Sequence, residues 1–197
     1  MDRSEARILR ELLEFGRGRA WLAEADDFAA ALRAAPRREG ALLLVGGEEA
    51  EPWHMAAHLS DEARMAGLGQ LSPTLVQRAP RVDAPAHLAA GLDRISAAER
   101  GEAVLIVCAD DPDSLVLERV DDARRHGARI LTLGQRTPLA DGLAHETLRV
   151  PDIPEAPSFD GAQHLVSSAA VELRPRGLLL RLRRWVEASN GPSVERW

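Results

Sequence analysis

Four polar residues, Glu51, His54, His58 and Glu62, recur at steps of three or four along a stretch that starts at Glu51-Pro52 and reads as a helix to about Ala66. On a helix that spacing puts them on one face. Imidazoles titrate near neutral pH, so such a face suits proton transfer or metal ligation. A second pair, Asp160 and His164, sits four apart on the apolar stretch Phe159 to Leu173, which also reads as a helix. A third group, Asp110, Asp111, Asp113 and Ser114, follows the apolar run Val104 to Val107. Its carboxylates could hold a divalent cation through oxygen, and their first reading is helix capping. Cys108, the only cysteine, ends that run and reads as an inert core thiol rather than a nucleophile. His87, His126 and His145 have no partner in sequence and read as surface residues.

These side chains need elements to position them. The segment Val104 to Gly134 reads as strand, helix, strand: an apolar run, then acidic helix-start residues with Pro112, then Leu115, Val116, Val120 and Ala123 at helical spacing, then His126-Gly127 as the stop before Arg129 to Leu133. Such a unit builds open parallel sheets, whose ligands bind at the carboxyl ends of the strands. Upstream, two helices joined near Gly16-Arg17-Gly18 precede a strand, Ala41 to Val45, and the Gly46-Gly47 turn. Leu71 to Val76 is a weaker strand, and Ala86 to Ala98 reads as a helix. Pro138 to Ala144 reads as a short helical turn and Glu146 to Val150 as a strand, followed by a proline-stiffened loop from Pro151 to Pro157. The expectation is a three-layer α/β/α sandwich, with about five mainly parallel strands and amino-terminal helices. One domain spans 1–175; the Arg-rich stretch 176–197 reads as an amphipathic helix packing on its own domain or on a second subunit.

Composition narrows the function classes. A hydrophobic content of 45% and a charged content of 28% are those of an ordinary globule. The net charge of −6 disfavours nucleic acid as a partner. No apolar run reaches the roughly 20 residues that cross a bilayer, and Met-Asp-Arg-Ser-Glu-Ala-Arg lacks a signal-peptide core, so no membrane association and a cytoplasmic location are expected.

The order of elements and several strings resemble the SIS (sugar isomerase) domain, particularly its phosphoheptose isomerase branch, over residues 5 to 175. There the first strand ends in Gly-Asn-Gly-Gly-Ser and a helix with a His-Phe-Ala-Glu-Glu-Leu-type string follows; here the stretches are Leu44-Val-Gly-Gly-Glu48 and His54-Met-Ala-Ala-His-Leu59. The family's Ser-Thr-Ser-Gly-Asn-Ser corresponds to Cys108-Ala-Asp-Asp-Pro-Asp113. Downstream, Ala123 to Leu133 and Leu139-Ala140 through Leu148-Arg-Val-Pro151 are similar to the family's helix, strand and "ADxxLRVP" segment.

The resemblance implies an SIS/flavodoxin-like fold, a small-molecule sugar derivative as ligand, and a homodimer or homotetramer. It places ligand contacts at Gly46, Gly47, Glu48, Cys108, Asp110, Asp111, Asp113, Ser114 and Ser168. Where the family holds phosphate with hydroxyls and helix-start amides, this chain has Glu48, Cys108, Ala109, Asp110 and Asp113. Carboxylates a few ångströms from a phosphate repel it by several kcal/mol at intermediate dielectric. The family's catalytic glutamate and histidine fall at His58 and Ser168. Some members also hold a metal between those two helices, at positions matching His54, His58, Asp160 and Ser168 here, with His164 one turn beyond Asp160. Two histidines facing an Asp and a His could supply a zinc-type ligand set of His54, His58, Asp160 and His164.

The first expectation is therefore a diverged, regulatory or non-standard SIS domain with no cofactor or a zinc ion. The rival is an isomerase with a rearranged site, using His58 as base, His54, Asp160 and His164 as metal ligands or second acid, and Ser114 or helix-start amides on the phosphate. A structural interaction domain is the third expectation, and it requires the crevice to be filled by side chains.

Overall fold

The computed structural model describes residues 3–15, 18–47, 52–79, 90–153 and 156–172. Two amino-terminal helices, α1 (Arg3–Phe15) and α2 (Arg19–Ala34), lead into β1 (Leu42–Gly46), α3 (Trp53–Ala66), a single 3-10 turn (Gly69–Leu71) and β2 (Thr74–Gln77). Then follow β3 (Ala90–Gly91), α4 (Asp93–Ser96), β4 (Ala103–Asp110), α5 (Ser114–Arg125), β5 (Arg129–Arg136), α6 (Pro138–Leu143), β6 (Glu146–Arg149) and α7 (Phe159–Val171). The strands form one six-stranded sheet in the order β3-β2-β1-β4-β5-β6. Every pairing is parallel.

The central strand explains the architecture. Ala103 to Cys108 are all buried, and alternate side chains point to opposite faces, as the two-residue period of a strand requires. Ala103, Leu105 and Val107 pack on one side in a core shared with α1, α2, α3 and α7. Val104, Ile106 and Cys108 pack on the other, against α4, α5 and α6. A parallel sheet must be covered on both faces, and this run of apolar residues has no polar face to leave uncovered. Two side-chain bonds fix the helices on the first face. The Trp21 indole donates to the Arg149 carbonyl at 2.7 Å, tying α2 to the end of β6. The Arg33 guanidinium donates to the carbonyls of Ala170 and Val171 at 3.0 and 2.9 Å, satisfying the end of α7 with a cation where the helix dipole favours one.

The three-layer expectation is met, with six strands in place of about five. The added strand is β3, whose two residues carry no β-branched or aromatic signal. Within the described part of the helix expected over Ala86 to Ala98, residues 90–98, only Asp93–Ser96 is helical, and Ala90 and Gly91 are drawn into the sheet edge. The strand expected from Leu71 begins at Thr74, because Leu71 closes a 3-10 turn. Strand β4 runs on to Asp110, which pairs in register with Arg136 of β5, so Asp110 belongs to the sheet rather than to the helix start. Pro112 likewise lies ahead of α5, whose N-cap is Asp113. Expectations for Glu48, Glu51, His87, residues 86–89, Pro154 and the stretch 176–197 fall outside the described residues. Among the described residues no helix is long and apolar enough to cross a membrane.

Candidate functional site

Strand β1 pairs with both β2 and β4, while β4 leads on to β5 in the opposite direction across the sheet. The chain therefore reverses its winding between β1 and β4, and in open parallel sheets the carboxyl ends at such a reversal are where ligand crevices lie. Gly46 and Gly47 stand there from β1, and Cys108 and Asp110 from β4. A side chain at Gly47 would lie 3.3 Å from the Cys108 Cβ, so the glycine lets the two strand ends approach.

The acidic run beside these strand ends is committed to internal partners. The Asp113 side chain accepts from the Val116 amide at 2.9 Å, capping α5, and it also pairs with Arg78. The Asp111 carboxylate accepts from the amides of Leu139, at 3.1 Å, and Ala140, at 2.9 Å, capping α6. Asp110 pairs with Arg136 at 2.9 Å. The amides that would receive a bound anion at these two helix starts are thus filled by the chain's own carboxylates. The divalent-cation reading of Asp110, Asp111 and Asp113 is corrected accordingly: each of the three carboxylates has its own partners in the chain, and they are not gathered around one point. Ser114 stands exposed in the first turn of α5. Burial, and then Asp111, Asp110 and Asp141, push the Cys108 thiol up to about 12, which keeps it protonated and unreactive. Trp53 is 46% exposed at the start of α3.

The second constellation is denser. Helices α3 and α7 pack side by side and bring His54, His58 and His164 together, with one ring nitrogen from each within 4.8 Å of the others. The His54 and His164 Nε2 atoms are 3.1 Å apart, so one ring donates and the other accepts. The His58 and His164 ring centroids lie 3.9 Å apart. His164 is only 5% exposed, and burial, followed by His58 and His54, lowers it to about 4. Burial and then His54 lower His58 as well, against Glu62 and Asp61. For His58 and His164 the balance favours neutral imidazole, the form that binds metal. The donor set suits zinc: three imidazoles with a fourth position left to water or a ligand is an established zinc arrangement. Asp160 does not join the cluster; its carboxylate is exposed and accepts from the Gln163 amide at 3.3 Å.

One turn further along both helices a cavity of about 520 Å³ opens between α1, α3 and α7, walled by Arg7, Arg10, Glu62, Met65, Leu165 and Ser168 among others. Arg10 is 8% exposed and pairs with Asp26, while its Nε has no hydrogen-bond partner among the described residues. Ser168 lines the cavity and donates to Glu172 at 3.4 Å. Mixed charged and hydroxyl groups over apolar walls are what a polyhydroxylated ligand requires. Sequence reasoning had no signal for Arg7 and Arg10, which come from the amino-terminal helix, nor for Arg78 and Arg136 as partners of the acidic run. The His126 Nδ1 sits 2.9 Å from the Ser96 carbonyl, and the Ile130 amide donates to His145 Nδ1 at 3.0 Å.

No family model and no curated protein sequence matches the chain. Solved structures do. A protein assigned as a phosphosugar isomerase from Silicibacter pomeroyi DSS-3 superposes with a TM-score of 0.52 at 20% identity, covering 94% of this chain and 54% of that one. The sugar isomerase domain of an RpiR transcription factor from Sphaerobacter thermophilus gives 0.49 at 14% identity, covering 82% and 86%. The Vibrio vulnificus NanR protein complexed with ManNAc-6P gives 0.44 at 14%, covering 83% and 56%. This chain spans about half the length of the isomerase-like structure. Its six parallel strands covered on both faces, wound in this order, give the chain the SIS/flavodoxin-like α/β fold.

Proposed function

We propose that this chain binds a carbohydrate derivative in the cavity between α1, α3 and α7, beside a zinc ion held by His54, His58 and His164, and that its role is regulatory or non-standard. The observation that carries the reading is the convergence of three imidazoles within 4.8 Å, on the same two helices that wall the cavity through Glu62 and Ser168 one turn further on. Three ring nitrogens gathered within 4.8 Å on two packed helices offer one metal ion three donors of the kind zinc takes. When bound, zinc supplies Lewis acidity and a position for a hydroxyl or carbonyl oxygen. The protein's own part is to favour the neutral form of His58 and His164, to exclude water at the buried His164 and to present Arg7, Glu62 and Ser168 to the ligand's hydroxyls.

Attachment of the ligand by a phosphate at the α5 start is disfavoured by Asp113, which already caps that helix with a negative charge. On this reading the ligand is gripped through its hydroxyls. Self-association as a homodimer or homotetramer belongs to the same reading, and it is supported by Ile8, Leu12 and Phe15, apolar and exposed at helical spacing on α1.

A second reading, aldose–ketose isomerisation in the manner of the phosphoheptose isomerase branch, is favoured by the neutral His58. A neutral imidazole beside a bound sugar can accept the proton adjacent to a carbonyl. Ser168 stands where that branch has its second catalytic group, and a serine hydroxyl is too weak an acid to replace a histidine there.

The test is a melting-temperature screen of the metal-stripped protein against zinc, magnesium, free sugars and sugar phosphates. The proposal expects a zinc shift lost in His58→Ala and a further shift with a free sugar. Sugar phosphates shifting the melt while free sugars do not would refute the hydroxyl-gripping mode, and no shift with any compound would refute the small-molecule reading. Interconversion of an aldose and a ketose by the zinc-loaded protein would establish the second reading.

A further inference from the structure

The opposite edge of the sheet carries a feature that the sugar-binding reading does not use. Three loops meet at the amino ends of β1, β4 and β5, where Arg37 and Arg100 from two of the loops and Arg129, the first residue of β5, line one cavity of about 250 Å³. All three loops turn through glycines with positive φ, Gly40 at 73°, Gly101 at 91° and Gly127 at 93°. A side chain at Gly101 would sit 3.4 Å from Arg37 Cδ, so the glycine keeps the floor of the cavity open beneath that arginine. The loops are also tied to one another, by the Arg37 amide donating to the Gly101 carbonyl at 3.0 Å and the Arg129 amide to the Glu102 carbonyl at 2.9 Å. The three guanidinium groups are therefore mounted on a fixed frame.

The charges in this cavity do not cancel. Glu102 is the carboxylate in its wall, and it is already satisfied by Arg38 at 2.8 Å, Arg94 at 2.6 Å and the Glu99 amide at 3.1 Å. Burial alone would raise Glu102, but the Arg94 bond, the Glu99 amide and Arg38 outweigh it and hold the carboxyl below its ordinary range, so it stays ionised and internally neutralised. Arg129 shares the exposed Glu146 at 3.3 Å, a pair that solvent makes weak. Arg37 and Arg100 have no side-chain counter-ion among the described residues. The excess of positive charge is felt by a neighbour: His145 is held below the ordinary imidazole range by partial desolvation first and then by Arg129 and Arg124. An edge this basic stands out on a chain of net charge −6.

We propose that Arg37, Arg100 and Arg129 form a second ligand site, for a dianionic tetrahedral oxyanion such as a phosphate monoester. Guanidinium groups present planar pairs of N–H donors that match two oxygens at a time, and a tetrahedral dianion offers enough oxygens for three of them. A volume near 250 Å³ equals roughly eight liquid waters, room for a phosphoryl group and the first atoms of its substituent. The site lies across the full length of the strands from the imidazole cluster, so the two occupy different edges of the molecule.

Isothermal titration of the full chain with inorganic phosphate at low ionic strength tests this, with a short DNA duplex as the second titrant. The expected result is saturable phosphate binding that weakens roughly tenfold or more in R37Q/R100Q, as loss of charge-assisted bonds requires, while His58→Ala binds phosphate as the parent does. Both arginines are exposed, so the double variant is expected to melt with the parent, and a melting curve checks that it is folded. Phosphate binding unchanged in R37Q/R100Q, or absent at millimolar concentration in the parent, overturns the proposal. So does a duplex that binds more tightly than phosphate and displaces it, which would make the edge a nucleic-acid patch.

Discussion

The Nε2 atoms of His54 on α3 and His164 on α7 lie 3.1 Å apart. In tetrahedral zinc, with bonds of about 2.0–2.1 Å, two ligating nitrogens stand roughly 3.3 Å apart. That pair is therefore already at the separation a shared metal imposes. His58 completes the set within 4.8 Å and needs only a side-chain adjustment on the order of an ångström to join.

The same packing makes the fold sensitive to acid. His164 is lowered to about 4 in the folded chain and has an ordinary value of 6.5 when unfolded. Between those values the unfolded chain binds the extra proton, so stability rises with pH through that window and is lost as pH falls from about 6.5 toward 4. The loss attributable to His164 reaches on the order of 2–3 kcal/mol at the acid end. Urea denaturation at neutral pH and near pH 4.5 measures it. His164→Gln should shrink the difference between the two conditions, and an unchanged difference would contradict the assignment.

Asp113 both caps α5 and pairs with Arg78, and the two roles separate by substitution. Asp113→Ala should cost roughly 1 kcal/mol of stability through the lost cap, read as a lower urea midpoint. Asp113→Ser keeps a capping oxygen, removes the charge and frees Arg78. Its expected effect is little change in stability and a gain in affinity for sugar phosphates, measured by titration. A gain of affinity in neither variant would contradict the view that the carboxylate closes this helix start to phosphate.

Cys108 is 6% exposed, and its thiol is raised to about 12, so it should resist iodoacetamide in the native protein at mildly alkaline pH and react promptly in denaturant. Mass spectrometry of the two samples decides. Rapid native labelling would show that the β4 end is open and would reopen a nucleophilic role for this residue.

How much of this was legible in the sequence varies by element. The run Val104 to Val107 and the stop at His126-Gly127 signalled β4 and α5 through burial period and helix-end chemistry, and those signals are local. Strand β3 was not legible, since Ala90 and Gly91 have no strand preference and enter the sheet only because Val76 and Gln77 of β2 offer a free edge. The pair His54 and His58 was visible from spacing alone. Its meeting with His164 depends on the contact of α3 with α7, which the resemblance to a known fold suggested and local pattern could not. The partners of the acidic run were invisible for the same reason. Arg136 reaches Asp110 through strand register, and Arg78 reaches Asp113 from the end of β2, so neither is encoded near the carboxylate it neutralises.

The most direct test of the central claim is a zinc titration by calorimetry on the metal-stripped chain, repeated with His54→Ala, His58→Ala and His164→Gln. The account predicts one zinc per chain in the parent, with binding weakened at least about tenfold in each variant, since each removes one of three nitrogen donors. Zinc binding that survives all three substitutions, or none in the parent at neutral pH, would contradict it.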